Sequence, residues 1–254
     1  MKEKVLITVD GPVTVITINR PERRNAVDNE TADLLAKAFQ AFERDAERHV
    51  AILTGAGEHF CAGADLKSLG SGEMYIPWGG HPDGPCHHPL SKPLIAAIEG
   101  YACAGGVGLA LRCDLRVAAE GAKFAILSRR WGVPMSDGTT VRLPRLIGQS
   151  RALDMLMTAR EVPAEEARTI GLADRLVPRG TALVAAIALA KHIAAFPQPA
   201  MLADRASTYA SFDHSLADAL QCETSFSKEA RDKSSISGAA RFAEGEGRHG
   251  ILPR

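Results

Sequence analysis

The sequence predicts an α/β fold ending in a helical extension, and three features carry that prediction. Short β-branched runs alternate with helical patterns through the first half of the chain. Two glycine-bearing loops each lead from a predicted strand into a predicted helix. Beyond about residue 138 the pattern becomes helical almost throughout.

Residues 5–9 and 13–18 are β-branched runs separated by Gly11-Pro12, which reads as a hairpin, and Asn19-Arg20-Pro21 ends the second strand. Asp28 is placed to cap a helix over 29–45, in which Leu34, Leu35, Ala38, Phe39 and Phe42 form one stripe. A strand at 50–54 leads into the loop GAGEHFCAGADL. Residues 70–92 are rich in Gly and Pro without periodicity, which predicts a functional lid or a disordered segment. A strand at 93–99 follows, then a passage through GGVG into an apolar helix ending near 111, then a strand at 114–119. Strand, helix, strand, helix, strand in this order suggests βαβ units with parallel pairing. Helices are expected at 138–147, 150–158, 163–170, 180–195, 199–210, 214–230 and 234–243, punctuated by Pro144, Pro163, Pro178, Pro197 and Pro199.

Composition bounds the function. The chain has 254 residues, 46% hydrophobic and 24% charged, with 30 basic and 30 acidic side chains. A net charge of zero argues against a strongly basic nucleic-acid binder. Five scattered cysteines do not form a disulfide framework. No apolar run reaches the ~20 residues of a membrane span, and the start reads as no signal peptide. A cytoplasmic protein without membrane or nucleic-acid partners is expected.

The segments His59–Leu66 and Gly100–Gly108 are the candidate functional loops. Small residues permit close approach to the backbone, and amides at a helix start point outward with a favourable field. Two such amides converging on one point make an oxyanion hole for a polarised carbonyl. Tight helix–strand packing explains each loop equally well. Neither is GxGxxG or GxxxxGK[ST], so dinucleotide and phosphate-loop readings have little support.

FCAGADL, IAAIEGYACAGGVGLALRCDLRVAAEGAKF and the upstream NRPERRNAV resemble the enoyl-CoA hydratase/isomerase (crotonase) superfamily. The similarity continues through GVPMSDGTTVRLPRLIG and MTAREVPAEEARTIGLADRLVP. It implies a crotonase-like spiral of ββα units over 1–195 that binds acyl-CoA, and a helical region over 196–254 for pocket closure and oligomerisation. A homotrimer or hexamer working in fatty acid and lipid metabolism is the expectation. By motif match the oxyanion amides belong to Ala64 and Gly105. The CoA adenine is expected near Ala62, and Arg24, with Arg20 or Arg23, near the CoA phosphates. Lys233 or Arg241 is expected to reach a phosphate, and Phe226 and Phe242 lie in the closing helical segment. Glu58 stands where relatives often carry a lysine. No cofactor is implied, since coenzyme A enters with the substrate.

The acid/base positions depart from the family. Hydratases of this type use two glutamates, and the matching positions here are Gly108 and Ser128. Glycine exchanges no proton, and a serine hydroxyl is a poor base near neutral pH. Some isomerase and dehalogenase relatives use an aspartate at the position of Ser136, one residue before Asp137. Asp137 is therefore either a general base or a cap for the helix near Gly138. Asp65 and Asp114 read as structural, as does Arg142. Glu73, Tyr75, His81, Asp83, His87 and His88 in the 70–92 loop are other polar candidates, with Glu73 or a histidine as a replacement base. Cys86-His87-His88 with His81 has no specific metal spacing, and no metal is assigned. Arg129-Arg130-Trp131 reads as a solvated basic corner with Trp131 packed behind it, or as an arginine facing a charged acyl group or Asp137. The leading function is an enoyl-CoA hydratase/isomerase-type enzyme working through a stabilised enolate. The alternatives are a double-bond isomerase or other enolate-forming lyase or hydrolase, and a non-catalytic acyl-CoA-binding protein.

Overall fold

The hairpin forms as the sequence indicates: β1 (Val5–Asp10) pairs antiparallel with β2 (Val13–Ile18), from Val5 opposite Ile18 to Asp10 opposite Val13. Gly11 turns the chain with φ +57°. The computed structural model describes residues 3–245 apart from Glu73, Tyr75, Pro77 and His88. After the hairpin come α1 (Asn29–Arg44), β3 (Val50–Gly55), α2 (Leu66–Gly70), β4 (Leu94–Ile98), β5 (Tyr101–Cys103) and α3 (Gly105–Arg112). Then follow β6 (Leu115–Ala119), β7 (Lys123–Ala125), α4 (Thr139–Ile147), α5 (Gln149–Thr158), β8 (Glu161–Pro163), α6 (Ala164–Thr169), β9 (Arg175–Val177) and α7 (Ala182–Ala194). The last helices are α8 (Gln198–Ala210), α9 (Leu216–Ala230) and α10 (Ile236–Ala243).

Two sheets organise these strands. One runs β1-β2-β3-β4-β6-β9, all parallel beyond the hairpin, and the other runs β5-β7-β8. β4 and β5 follow each other in the chain but lie in different sheets, and so do β6 and β7. The chain thus steps from sheet to sheet before α3 and again before α4, which is a spiral of ββα units. The second sheet is absent from the reading by pattern, because strands of three residues are too short to show a period. β4 is buried along its whole length and β3 through Thr54, as parallel strands covered on both faces must be. α1 buries Leu35, Phe39 and Phe42 in the core, at roughly 1.5–3 kcal/mol for each large side chain.

Two of the helix starts share one cation. Asp28 caps α1 by accepting from Thr31 N at 2.9 Å, and Asp65 caps α2 by accepting from Lys67 N at 3.1 Å. Arg20 reaches both carboxylates, at 3.0 Å to Asp28 Oδ2 and 2.9 Å to Asp65 Oδ2, and also donates to the Ala26 carbonyl. It is 8% exposed, so the expectation that Arg20 meets a CoA phosphate is corrected: its donors are committed inside the fold. Asp65 and Asp114 are structural; Asp114 Oδ2 accepts from Leu94 N at 2.8 Å.

The 70–92 segment is not a free lid throughout. Trp78 and Cys86 are buried, Cys86 N donates to Trp78 O at 2.9 Å, and Gly79 N donates to Ser136 O at 2.8 Å. The chain divides into two compact units, Met1–Ile193 and Ala194–Arg254. In the second, α8 packs on α9, and a wider helical turn at Arg231–Ser235 leads into α10. Leu216, Leu220, Ile236 and Phe242 of this unit are exposed. Among the described residues no single helix is long and apolar enough to cross a membrane.

Arg20→Met is expected to cost about 3 kcal/mol or more, because it leaves the shielded Asp65 carboxylate without its cation and Asp28 with Lys4 alone. Urea unfolding at neutral pH reads this directly.

Candidate active site

Ala64 owes its orientation to a single parallel pairing with Val27. Val27 N donates to Gly63 O at 2.8 Å and Asp65 N to Val27 O at 2.9 Å. In that pattern the amide of Ala64 itself points away from Val27, and Ala64 lines a cavity of about 390 Å³. Gly105 lines the same cavity and opens α3, where the first amides have no acceptor within the helix. Ala104 before it holds φ 48° and ψ −117°, a conformation an alanine rarely adopts, while its amide is fixed to Ala125 O at 2.8 Å. The two loops touch: a Cβ added to Gly63 would lie 3.0 Å from Gly105 N. Backbone from both loops therefore borders one cavity.

Asp137 supplies a carboxylate to that cavity. It is 2% exposed, and Oδ1 accepts from Thr139 N at 2.9 Å. Its other oxygen faces Gly108: a Cβ built there would stand 2.5 Å from Asp137 Oδ2. The space that a side chain at 108 would need is thus filled by a carboxylate from a distant segment. Burial pushes the Asp137 pKa above its ordinary 3.8, against the lowering effects of Thr139 and Arg142. Arg142 gives its donors to the carbonyls of Asp137 and Cys86, at 3.0 and 2.9 Å, so its role is structural. Asp137 thus pins the start of α4 and also borders the cavity.

Ser128 also lines the cavity and donates from Oγ to Met135 Sδ at 3.4 Å. Arg24 and Ala62 line it too. Arg24 extends into a second cavity of about 540 Å³ shared with Arg23 and Lys67. Three cations, Arg23, Arg24 and Lys67, thus border this second cavity, together with Glu22 and Asp65. Lys233 is exposed in the second unit and pairs with Glu229. Trp131 is 71% exposed and lines the cavity, which corrects the expectation that it packs behind the arginines. Arg129 and Arg130 donate to the Val133 and Ala159 carbonyls, at 3.3 and 3.4 Å, and neither lines the cavity. His81, Asp83 and His87 do not line it either, and Glu73, Tyr75 and His88 lie outside the described residues.

Three lining residues escape a reading of the sequence. Trp78 sits in the Gly/Pro-rich segment, where no period marks it as core. Tyr101 and Glu161 lie on three-residue strands, joined at 3.3 Å through the tyrosine hydroxyl, and Lys123 pairs with Glu161 at 2.7 Å. Cys103 borders the cavity as well, but burial pushes its thiol up to about 12 and leaves it a poor nucleophile.

A family model described as enoyl-CoA hydratase/isomerase matches residues 8–249. The chain belongs to the enoyl-CoA hydratase/isomerase family. This places it in the crotonase superfamily, whose enzymes act on acyl-CoA thioesters. It is 39% identical over 197 residues to enoyl-CoA hydratase EchA19 of Mycobacterium tuberculosis, covering 75% of this chain and 74% of that one. It is 39% identical over 198 residues to carnitinyl-CoA dehydratase of Salmonella typhi, covering 76% and 75%. Among solved structures, enoyl-CoA hydratase EchA1 of Mycobacterium marinum superposes with a TM-score of 0.91 at 37% identity, over 100% of this chain and 98% of that one. An enoyl-CoA hydratase of Mycobacterium tuberculosis H37Rv gives the same TM-score of 0.91 and the same coverage, 100% and 98%, at 38% identity.

In this family member Gly108→Ala is expected to cost about 1–3 kcal/mol through overpacking against Asp137. Thermal unfolding measures the loss, and the companion Gly108→Ala/Asp137→Gly, which vacates the notch, is expected to recover part of it.

Proposed function

We propose that this enzyme forms an enolate from an acyl-CoA thioester and moves a proton between carbons, with Asp137 as its single base. The supporting observation is the position of Asp137 on the cavity that Ala64 and Gly105 face, while Gly108 and Ser128 carry no carboxylate. The thioester oxygen takes the amides of Ala64 and Gly105. Asp137 removes a proton from C2 of a 3-enoyl thioester, and the electron pair moves toward the oxygen. The double bond then shifts to C2–C3 as the carboxyl returns the proton to C4. A raised pKa suits this exchange, since it makes the carboxylate a stronger base. Arg23, Arg24 and Lys67 meet the CoA phosphates, and Ala62 lies beside the adenine. Lys233 as a further phosphate contact, a homotrimer or hexamer assembled through the exposed apolar helices, and a cytoplasmic location complete the proposal.

A second reading is addition or removal of water. Relatives named hydratase and dehydratase support it, as does Glu161, a second carboxylate on the cavity. A purely binding role has less support, because a buried carboxylate beside two oxyanion donors serves proton transfer more than affinity.

The test is mass spectrometry of 2-enoyl, 3-enoyl and saturated acyl-CoA thioesters incubated in deuterated water. Deuterium uptake with double-bond migration is expected, and water addition as the main outcome would favour the second reading. Asp137→Asn is expected to slow exchange about 100-fold or more, the usual share of a general base. An unchanged rate would remove Asp137 from the chemistry.

Asp137 also links activity to pH and stability. Its folded-state pKa is raised, so its favourable contribution is complete below the unfolded value near 3.8 and is lost as pH rises through the folded value. Asp137→Asn keeps an acceptor for Thr139 N without the charge. Its Tm is therefore expected to exceed the wild type's at neutral pH, with the gap closing toward pH 3.8. The acid limb of wild-type kcat/KM is expected above the usual carboxylate range.

A further inference from the structure

Trp78 occupies an unusual place for a residue of a Gly/Pro-rich segment. It is 2% exposed, and its ring lies over the first turn of α3: a Cβ on Gly105 would stand 2.8 Å from Cη2. Asp137 fills the next notch on the same face, at Gly108, since positions three apart on a helix are neighbours. The two are tied together through the backbone, because Gly79 N donates to Ser136 O at 2.8 Å. A Cβ on Gly79 would lie 2.9 Å from the carbonyl carbon of Asp137, so the strand of chain carrying Trp78 rests directly on the chain carrying the base. Trp78, Gly105 and Asp137 border one cavity.

We infer that Trp78 is a specificity-determining residue that excludes water from the space between Asp137 and the thioester, so that the reaction stops at the 2-enoyl product of proton return and water is not added to its C3. The inference rests on the reading of Asp137 as a base. Water addition requires a molecule held beside the base and within reach of C3 of the bound acyl group. The indole fills one flank of that space with an apolar surface that offers a water few partners, and an ordered water needs two to four. Trp78→Phe removes one fused ring, room on the order of one water (~30 Å³), and keeps the remaining packing against Gly105.

The experiment compares wild type, Trp78→Phe and Trp78→Leu with a 3-enoyl-CoA in deuterated water enriched in ¹⁸O. Deuterium uptake reports proton transfer, and ¹⁸O incorporation reports hydration. The expected result is exchange retained in Trp78→Phe, with a hydrated fraction about tenfold above wild type, the size of discrimination one pocket group typically supplies. Trp78→Leu is expected to raise it further. Exchange retained with an unchanged hydrated fraction in Trp78→Phe would overturn the role of Trp78 and leave Asp137 as base. Wild type that hydrates as its main reaction would overturn it as well. Wild type without exchange on any thioester would bring down the reading of Asp137, and the inference with it. A general loss of packing lowers exchange and hydration together, so the ratio separates specificity from structure.

Discussion

The site depends on the bare first turn of α3. Gly105, Gly106 and Gly108 lack the side chains that would hold neighbouring segments away, and each receives a different one: Trp78, the backbone of Cys61 and the carboxylate of Asp137. Glycine in a helix costs about 1 kcal/mol relative to alanine. The fold accepts that cost three times within one turn, and Ala104 just before it holds a strained conformation. In return, loops from several parts of the chain meet at a helix N-terminus, where amides and the helix field favour negative charge. An enolate oxygen is the charge such a place suits.

Three aspartates near helix starts show how environment divides their roles. Asp28 and Asp65 share Arg20, and hydrogen bonds and nearby cations hold the Asp28 carboxyl down at about 2 despite its burial. Asp137 pins a helix start in a similar way, but no ion pair reaches its carboxylate among the described residues. Arg142 spends its guanidinium on carbonyls, so burial dominates and the pKa rises. Groups of one type whose environments push their proton affinities apart are the usual signature of divided labour. Two of these carboxylates hold the fold, and the third is the one on which the proposed proton transfer rests.

The sequence made the long elements legible because their physical signals are local. The hairpin shows in two β-branched runs around Gly11, and α1 shows in its cap and stripe. The two glycine-bearing loops were readable for a similar reason, since small residues at strand–helix junctions mark them, and both border the cavity. The second sheet was not, because Tyr101–Cys103, Lys123–Ala125 and Glu161–Pro163 are stabilised by pairing across distant segments. Arg20 looked like a phosphate ligand until its two carboxylate partners came from α1 and α2. Trp78 and the fit of Asp137 into Gly108 are also contacts between remote segments, and no local pattern announces either.

The two halves of the proposed chemistry have different structural roots. The amide of Ala64 is aimed by its pairing with Val27, and that of Gly105 by the attachment of Ala104 to Ala125. Side-chain substitution leaves such backbone donors in place. The proposed base is one side chain in one notch, and the notch holds one occupant. A glutamate at 108 would claim the volume that Asp137 already fills. Position 108 and position 137 are therefore one choice, not two, and recovering the hydratase pattern requires removing Asp137 as well as supplying carboxylates at both 108 and 128. A family that shares its oxyanion donors can diverge in reaction by moving its carboxylate from a helix to the loop facing it.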